Sequence, residues 1–150
     1  MEPGPVTDRV PATDHVPVTI GLFEEEAGGA ARLIGGECRS CGRRHFPLLT
    51  TCPYCSAESI IQVRLSPEGT LWAWTAVTAP PPGYRGEVPY GFGVVELVDD
   101  GIRVVTRLTE GDPSRLALGQ AMRLVVAPLH EDDEGRTVVT YAFAPAGGAP

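Results

Sequence analysis

Apolar and polar positions alternate most regularly at Ile102–Thr109. Ile102, Val104 and Leu108 fall on one side there, and Arg103 and Arg107 on the other. A period of two predicts a half-buried strand. Four further runs have strand character: Thr70–Ala79, Tyr90–Val98, Ala121–Leu129 and Arg136–Ala144. The tight turn "DDG" (99–101) and the longer acidic turn "HEDDEG" (130–135) separate neighbouring runs and predict antiparallel hairpins. Between the third and fourth runs, "GDPSRLALGQ" (111–120) reads as a loop with one short helical turn. Upstream of "SPEG" (66–69) the strands are shorter: "RLIGGE", "RHFPLL" and "SIIQVRL". Residues 18–31 predict a short N-terminal helix around Leu22–Ala27, stopped by Gly28 and Gly29. Residues 1–17 and 146–150 lack periodicity and read as disordered tails.

The expected fold class is therefore mainly β. A small unit covers 32–66, and a five-stranded Greek-key barrel of the OB type covers 67–145. A small sandwich or an open meander fits the same pattern. The 18 glycines and 15 prolines in 150 residues agree with many turns and short strands. Net charge is −7, and all twelve basic residues are arginines, so the overall field does not attract phosphate backbones. No run approaches the roughly 18 apolar residues that span a bilayer. The first residues lack the basic start and apolar stretch of a secretory signal, so a cytoplasmic location is expected.

The densest chemistry lies in "CRSCGRRHFPLLTTCPYC", where Cys38, Cys41, Cys52 and Cys55 form two C-x-x-C pairs ten residues apart. Each pair can sit on a tight turn, so that four sulfurs face one ion in a closed tetrahedral shell. Gly42 follows the first pair, where such a turn needs positive φ. One structural zinc is the expected cofactor. Iron can occupy the same thiolates, and two disulfides or free redox thiols are the readings without metal. A closed shell leaves no position for substrate, so the expected role is to supply folding energy.

Other candidates have plainer alternatives. Arg39, Arg43 and Arg44 cluster at the knuckle, where they would touch a nucleic acid or offset thiolate charge. His45 is redundant beside four cysteines, and His15 and His130 have no nucleophile or carboxylate at recognisable spacing. Trp72 and Trp74, two apart on a strand, are expected to share one face, either as a stacking platform or as core or interface residues. "APPPGYRGEVPYG" (79–91) offers Tyr84 and Arg85 as anchors for a ligand or partner, or is only a stiff connection. "GFG" (91–93) lies inside a strand with no helix after it and is discounted as a nucleotide fingerprint. No G-x-S-x-G, P-loop or H-E-x-x-H is present, so catalysis by this chain alone is not expected.

The order of these motifs resembles that of the DUF35-type proteins, in which a rubredoxin-like zinc ribbon precedes an OB-fold. The resemblance rests on "CRSCGRRHFPLLTTCPYC", "LSPEGTLWAWTAVTAPPPGY", "PYGFGVVELVDDGIRVVTRL" and "LALGQAMRLVV", and covers roughly 32–144. The chain departs from the family where "LFEEEAGGAARLIGG" replaces a longer aromatic, charged helix. The resemblance implies a non-catalytic accessory subunit for a thiolase-like enzyme of the lipid-transfer-protein type, performing thiolysis or retro-aldol cleavage of an acyl-CoA. Steroid side-chain degradation is one such setting, and a MaoC-like hydratase is a further partner. It carries the metal-ligand role onto Cys38, Cys41, Cys52 and Cys55. Candidates for a partner or acyl-CoA face are Arg43, Arg44, Phe46, Trp72, Trp74, Tyr84 and Arg85. The alternative is a module that binds single-stranded nucleic acid, against which the acidic balance counts.

Overall fold

The computed structural model describes residues 15–26 and 30–146. Of the tails expected at 1–17 and 146–150, residues 1–14 and 147–150 lie outside the described residues, as do Ala27, where the expected helix ends, and the Gly28–Gly29 pair expected to stop it. Within them the chain forms β1 (His15–Pro17), β2 (Phe23–Glu25), β3 (Ala31–Cys38), β4 (Arg44–His45) and β5 (Ile60–Arg64). These are followed by β6 (Glu68–Val77), β7 (Tyr90–Leu97), β8 (Ile102–Leu108), β9 (Ala121–Glu131) and β10 (Thr137–Pro145). Among the described residues no helix is long and apolar enough to cross a membrane.

Strands β6 to β10 close a barrel. The order β10-β8-β7-β6-β9 is joined end to end by β10–β9 pairing, and β8 and β10 run parallel. Each of the five expected runs is a barrel strand. The loop at 111–120 contains a single 3-10 turn at Pro113–Arg115, with Asp112 accepting from the Ser114 amide at 3.0 Å. Inward positions such as Leu71, Val95, Val104, Met122 and Phe143 are fully buried.

The smaller unit is built on β3, which pairs antiparallel with β2, β4 and β5. Gly35 and Gly36 let β4 approach β3. A Cβ on Gly35 would stand 2.6 Å from the His45 carbonyl oxygen and 2.9 Å from Leu65 Cδ1. A backbone carbonyl cannot rotate away. The Gly35→Ala variant is therefore expected to lose about 1–3 kcal/mol through overpacking, read as a lower denaturant midpoint with an unchanged slope.

The helix expected within 18–31 does not form over the residues described. Phe23–Glu25 is instead strand β2, paired with Ala31–Leu33. A six-residue helix has too few hydrogen bonds to offset its nucleation. As a strand the segment buries Phe23 and lets Glu24 and Glu26 pair with Arg64 of β5. Residues 15–17, expected to end the tail, form β1 in parallel with β10.

The pairing of Trp72 with Trp74 on one face is also corrected. The β6–β7 register shifts between Leu71 and Ala73, which places a bulge at Trp72. Trp72 is exposed, whereas Trp74 packs against the core and donates its indole N–H to the Pro113 carbonyl at 3.0 Å. An extra residue in a strand reverses which side the next one takes.

Two contacts set the ribbon on the barrel. Phe46 and Phe23 pack edge-on against Tyr141 of β10, with ring centroids 5.5 and 6.4 Å apart. The Arg44 guanidinium donates to Glu37 at 2.8 Å and to Asp100 at 2.6 Å, while Asp100 accepts the Ser66 amide at 2.7 Å. These carboxylates, Glu37 first, hold the Arg44 pKa above its ordinary value.

Candidate functional site

The four cysteines come together in the ribbon. Cys38 ends β3, and the chain turns so that Gly42, at φ 81°, donates its N–H to the Cys38 carbonyl at 2.8 Å. The amides of Ser40 and Cys41 donate to the Cys38 sulfur at 3.3 and 3.4 Å. The second knuckle repeats the design: Ser56, at φ 70°, donates its N–H to the Cys52 carbonyl at 3.0 Å, and the Tyr54 amide donates to the Cys52 sulfur at 3.4 Å. Gly42 and Ser56 each stand four residues after the first cysteine of a pair. The positive φ of Ser56 was legible only by analogy with Gly42, because serine at that position carries no signal of its own.

All four Sγ atoms lie within 4.8 Å of one another and none is in a disulfide. Contacts of 3.6 Å (Cys38–Cys55) and 3.7 Å (Cys41–Cys52) match a tetrahedron with about 2.3 Å metal–sulfur bonds, whose edge is about 3.8 Å. Cys38 and Cys52 are buried, whereas Cys41 and Cys55 are exposed.

Proton affinities inside the cluster fit the same reading. The Cys41 amide is the largest influence on Cys38 and lowers its pKa. Burial raises that of Cys52, but the amides of Cys55 and Tyr54 and the sulfurs of Cys41 and Cys55 together bring the thiol down to about 6. Cys55 is pushed up to about 11: the Ala57 amide pulls it down, and burial with the neighbouring sulfurs pushes harder in the other direction. Both buried thiols are shifted toward the thiolate and Cys55 away from it, and four thiolates become compatible only around a cation. The cluster is a metal site.

His45 takes no part in it. It is buried, and its Nε2 accepts the Leu49 amide at 3.2 Å, tying down the loop between the knuckles. Among the described residues no histidine is hydrogen-bonded to a serine, threonine or cysteine side chain.

The remaining candidates do not converge on one pocket. Arg43 stacks 3.8 Å above the Tyr54 ring at the second knuckle. Arg44 and Phe46 are spent on joining the ribbon to the barrel, as described above. Tyr84 fixes the Pro-rich loop: its hydroxyl donates to the Glu87 carbonyl at 2.9 Å and accepts from Arg107 at 3.1 Å. Arg85 is exposed beside Asp133 at 3.6 Å. Residues that sequence reasoning passed over are Asp100, read only as part of a turn, and Arg103 and Arg107, read only as an outward face.

This ribbon-then-barrel architecture has known relatives. Residues 26–60 match the family model of the ChsH2 rubredoxin-like zinc ribbon domain, and residues 62–127 that of the ChsH2 C-terminal OB-fold domain. A DUF35 domain-containing scaffold protein of Pyrococcus furiosus is 33% identical over 115 residues, spanning 76% of this chain and 83% of the relative. The chain belongs to the DUF35 family. Another relative is the benzoylsuccinyl-CoA thiolase subunit BbsA of Thauera aromatica, 30% identical over 123 residues, or 81% of this chain and 83% of that subunit. Among solved structures, the Ltp2-ChsH2(DUF35) aldolase is similar with a TM-score of 0.60 at 27% identity, covering 77% of this chain and 85% of that one. As a DUF35 protein, the chain has its four cysteines inside the segment that matches the ribbon model.

Proposed function

We propose that this DUF35 protein is a non-catalytic accessory subunit that docks on and supports a thiolase-like acyl-CoA enzyme. The observation that carries the reading is its likeness, over both ribbon and barrel, to the chain of the Ltp2-ChsH2(DUF35) aldolase. The thiolase subunit BbsA supports it independently. One zinc ion, held by Cys38, Cys41, Cys52 and Cys55, gives the ribbon its rigidity when bound. Free thiols in the ribbon suit a reducing, cytoplasmic setting.

The partner carries the chemistry, thiolysis or retro-aldol cleavage of an acyl-CoA, with steroid-derived and short-chain thioesters as the substrate classes to compare. A MaoC-like hydratase would act next to it. Mild affinity purification of this protein from its native cells, followed by mass spectrometry, tests the reading. Recovery of a thiolase-like subunit in near-equal amount, inactive or insoluble when made alone, is the expected result. Full activity of that subunit by itself overturns the accessory role. Recovery of single-stranded nucleic acid without any acyl-CoA enzyme would favour the alternative of a nucleic-acid-binding module.

A further inference from the structure

An antiparallel sheet with one face on a core and the other in water alternates apolar and polar positions. The outer face of β6–β8 breaks that rule. Its cross-strand pairs are Phe92–Arg107, Val94–Val105 and Glu96–Arg103, and the β6 bulge adds Trp72. Trp72, Phe92 and Val105 are exposed by 45%, 38% and 56%. An aliphatic centre thus lies in water between two arginines about 14 Å apart along β8, at roughly 3.4 Å per residue.

Both arginines are held in place. Arg103 sits 4.0 Å over the Trp72 ring and 3.5 Å from Glu96. Arg107 sits 4.1 Å over Tyr90 and donates to Tyr84. A cleft of about 490 Å³ between barrel and ribbon is lined by Glu96 and Arg103 on one side and by Arg43, Leu49 and Tyr54 on the other. It extends the same strip to the stacked Arg43–Tyr54 pair. Three arginine-on-aromatic pairs therefore flank one apolar surface.

We propose that this strip is the surface on which the thiolase-like subunit docks, and that the subunit meets it with an apolar patch rimmed by carboxylates. The proposal rests on the accessory-subunit reading above and names the face that reading requires. Tyrosine, tryptophan and arginine dominate binding hot spots. Arginines already stacked and hydrogen-bonded lose little further freedom on association. The chain carries −7 overall, yet among the β7–β8 pairs and the lining of this cleft Arg43, Arg103 and Arg107 stand against one carboxylate, Glu96. That local excess selects an acidic counterpart. A second copy of this chain would bring arginine against arginine. Single-stranded nucleic acid needs open ring faces, and here guanidinium groups cover Tyr54, Trp72 and Tyr90 around an aliphatic centre.

The test uses the full-length chain and the thiolase-like subunit it recovers from native cells, identified by sequence, purified and titrated against variants. Val105→Glu and Arg103→Gln, both at exposed positions and neither setting a carboxylate directly against Glu96, are expected to raise Kd at least about tenfold while thermal midpoints stay close to the wild-type value. Leu118→Glu, at a position 72% exposed in the β8–β9 loop, is expected to bind as wild type. Unchanged affinity in both face variants overturns the proposal and leaves the accessory role standing. If the wild-type chain recovers no thiolase-like subunit, the accessory reading fails and the proposal with it. A wild-type homodimer that Val105→Glu dissociates, or oligo-dT binding at low salt that Val105→Glu abolishes, overturns it in favour of self-association or nucleic acid.

Discussion

A Cys52→Ala chain purifies without stoichiometric zinc, and protease cleaves it within the ribbon where the wild-type chain resists. This is the largest effect expected from any single substitution. The Cys52 sulfur is buried, accepts the Tyr54 amide and lies 3.7 Å from the Cys41 sulfur. Its loss opens a shell whose closure is worth about 10–16 kcal/mol in zinc-finger peptides. Metal analysis of the purified variant, together with limited proteolysis, measures the outcome. An unchanged zinc content would remove the four-thiolate site.

The same cluster sets a pH dependence. Cys55, pushed up to about 11, has to release its proton when four thiolates hold an ion, so zinc binding liberates protons and tightens as pH rises. The Cys52 thiolate, lowered to about 6, is lost as pH falls through that value, and zinc retention should weaken across the same range.

Asp100→Ala is expected to be the next most damaging change. The Asp100 side chain is 3% exposed, and one carboxylate serves two partners, the Arg44 guanidinium of the ribbon and the amide of Ser66. Removing it strands a backbone donor and leaves Arg44 with Glu37 alone. Arg44 is one-third exposed, so water compensates in part. The expected cost is about 2–3 kcal/mol, less than the roughly 3–5 kcal/mol for breaking a fully buried pair. That corresponds to a thermal midpoint lower by about 5–10 °C in a chain of this size. Asp100→Asn, which keeps an oxygen for Ser66, should recover part of the loss. Calorimetry of the two variants separates the charge from the hydrogen bond.

The barrel was legible because its strands alternate apolar and polar residues and are separated by strong turn residues, so that even the short turn at 113–115 was anticipated within its loop. The metal site was legible because two C-x-x-C pairs leave thiols few other arrangements. Strand β2 was not. Three residues show no period, and "LFEEEA" has helical composition while its strand partner lies beyond a glycine pair. The separation of Trp72 from Trp74 depends on one bulge, which no local residue announces. Arg44 read as a surface charge because its partner Asp100 is 56 residues away, a pairing that only the docking of ribbon on barrel creates.

Phe23, Leu33 and Leu65 of the ribbon half belong to the same buried cluster as Leu71, Val95 and Phe143 of the barrel. An ion bound to the knuckles therefore acts on the folding equilibrium of strands it never touches. Ligand linkage gives this effect a size: a free ion at a hundredfold its Kd adds about 2.7 kcal/mol to the stability of whatever unfolds together with its site. Zinc supply would then regulate how much assembly-competent chain a cell holds. Chelation would shorten the lifetime of the barrel and, through it, of any enzyme that depends on the barrel for support.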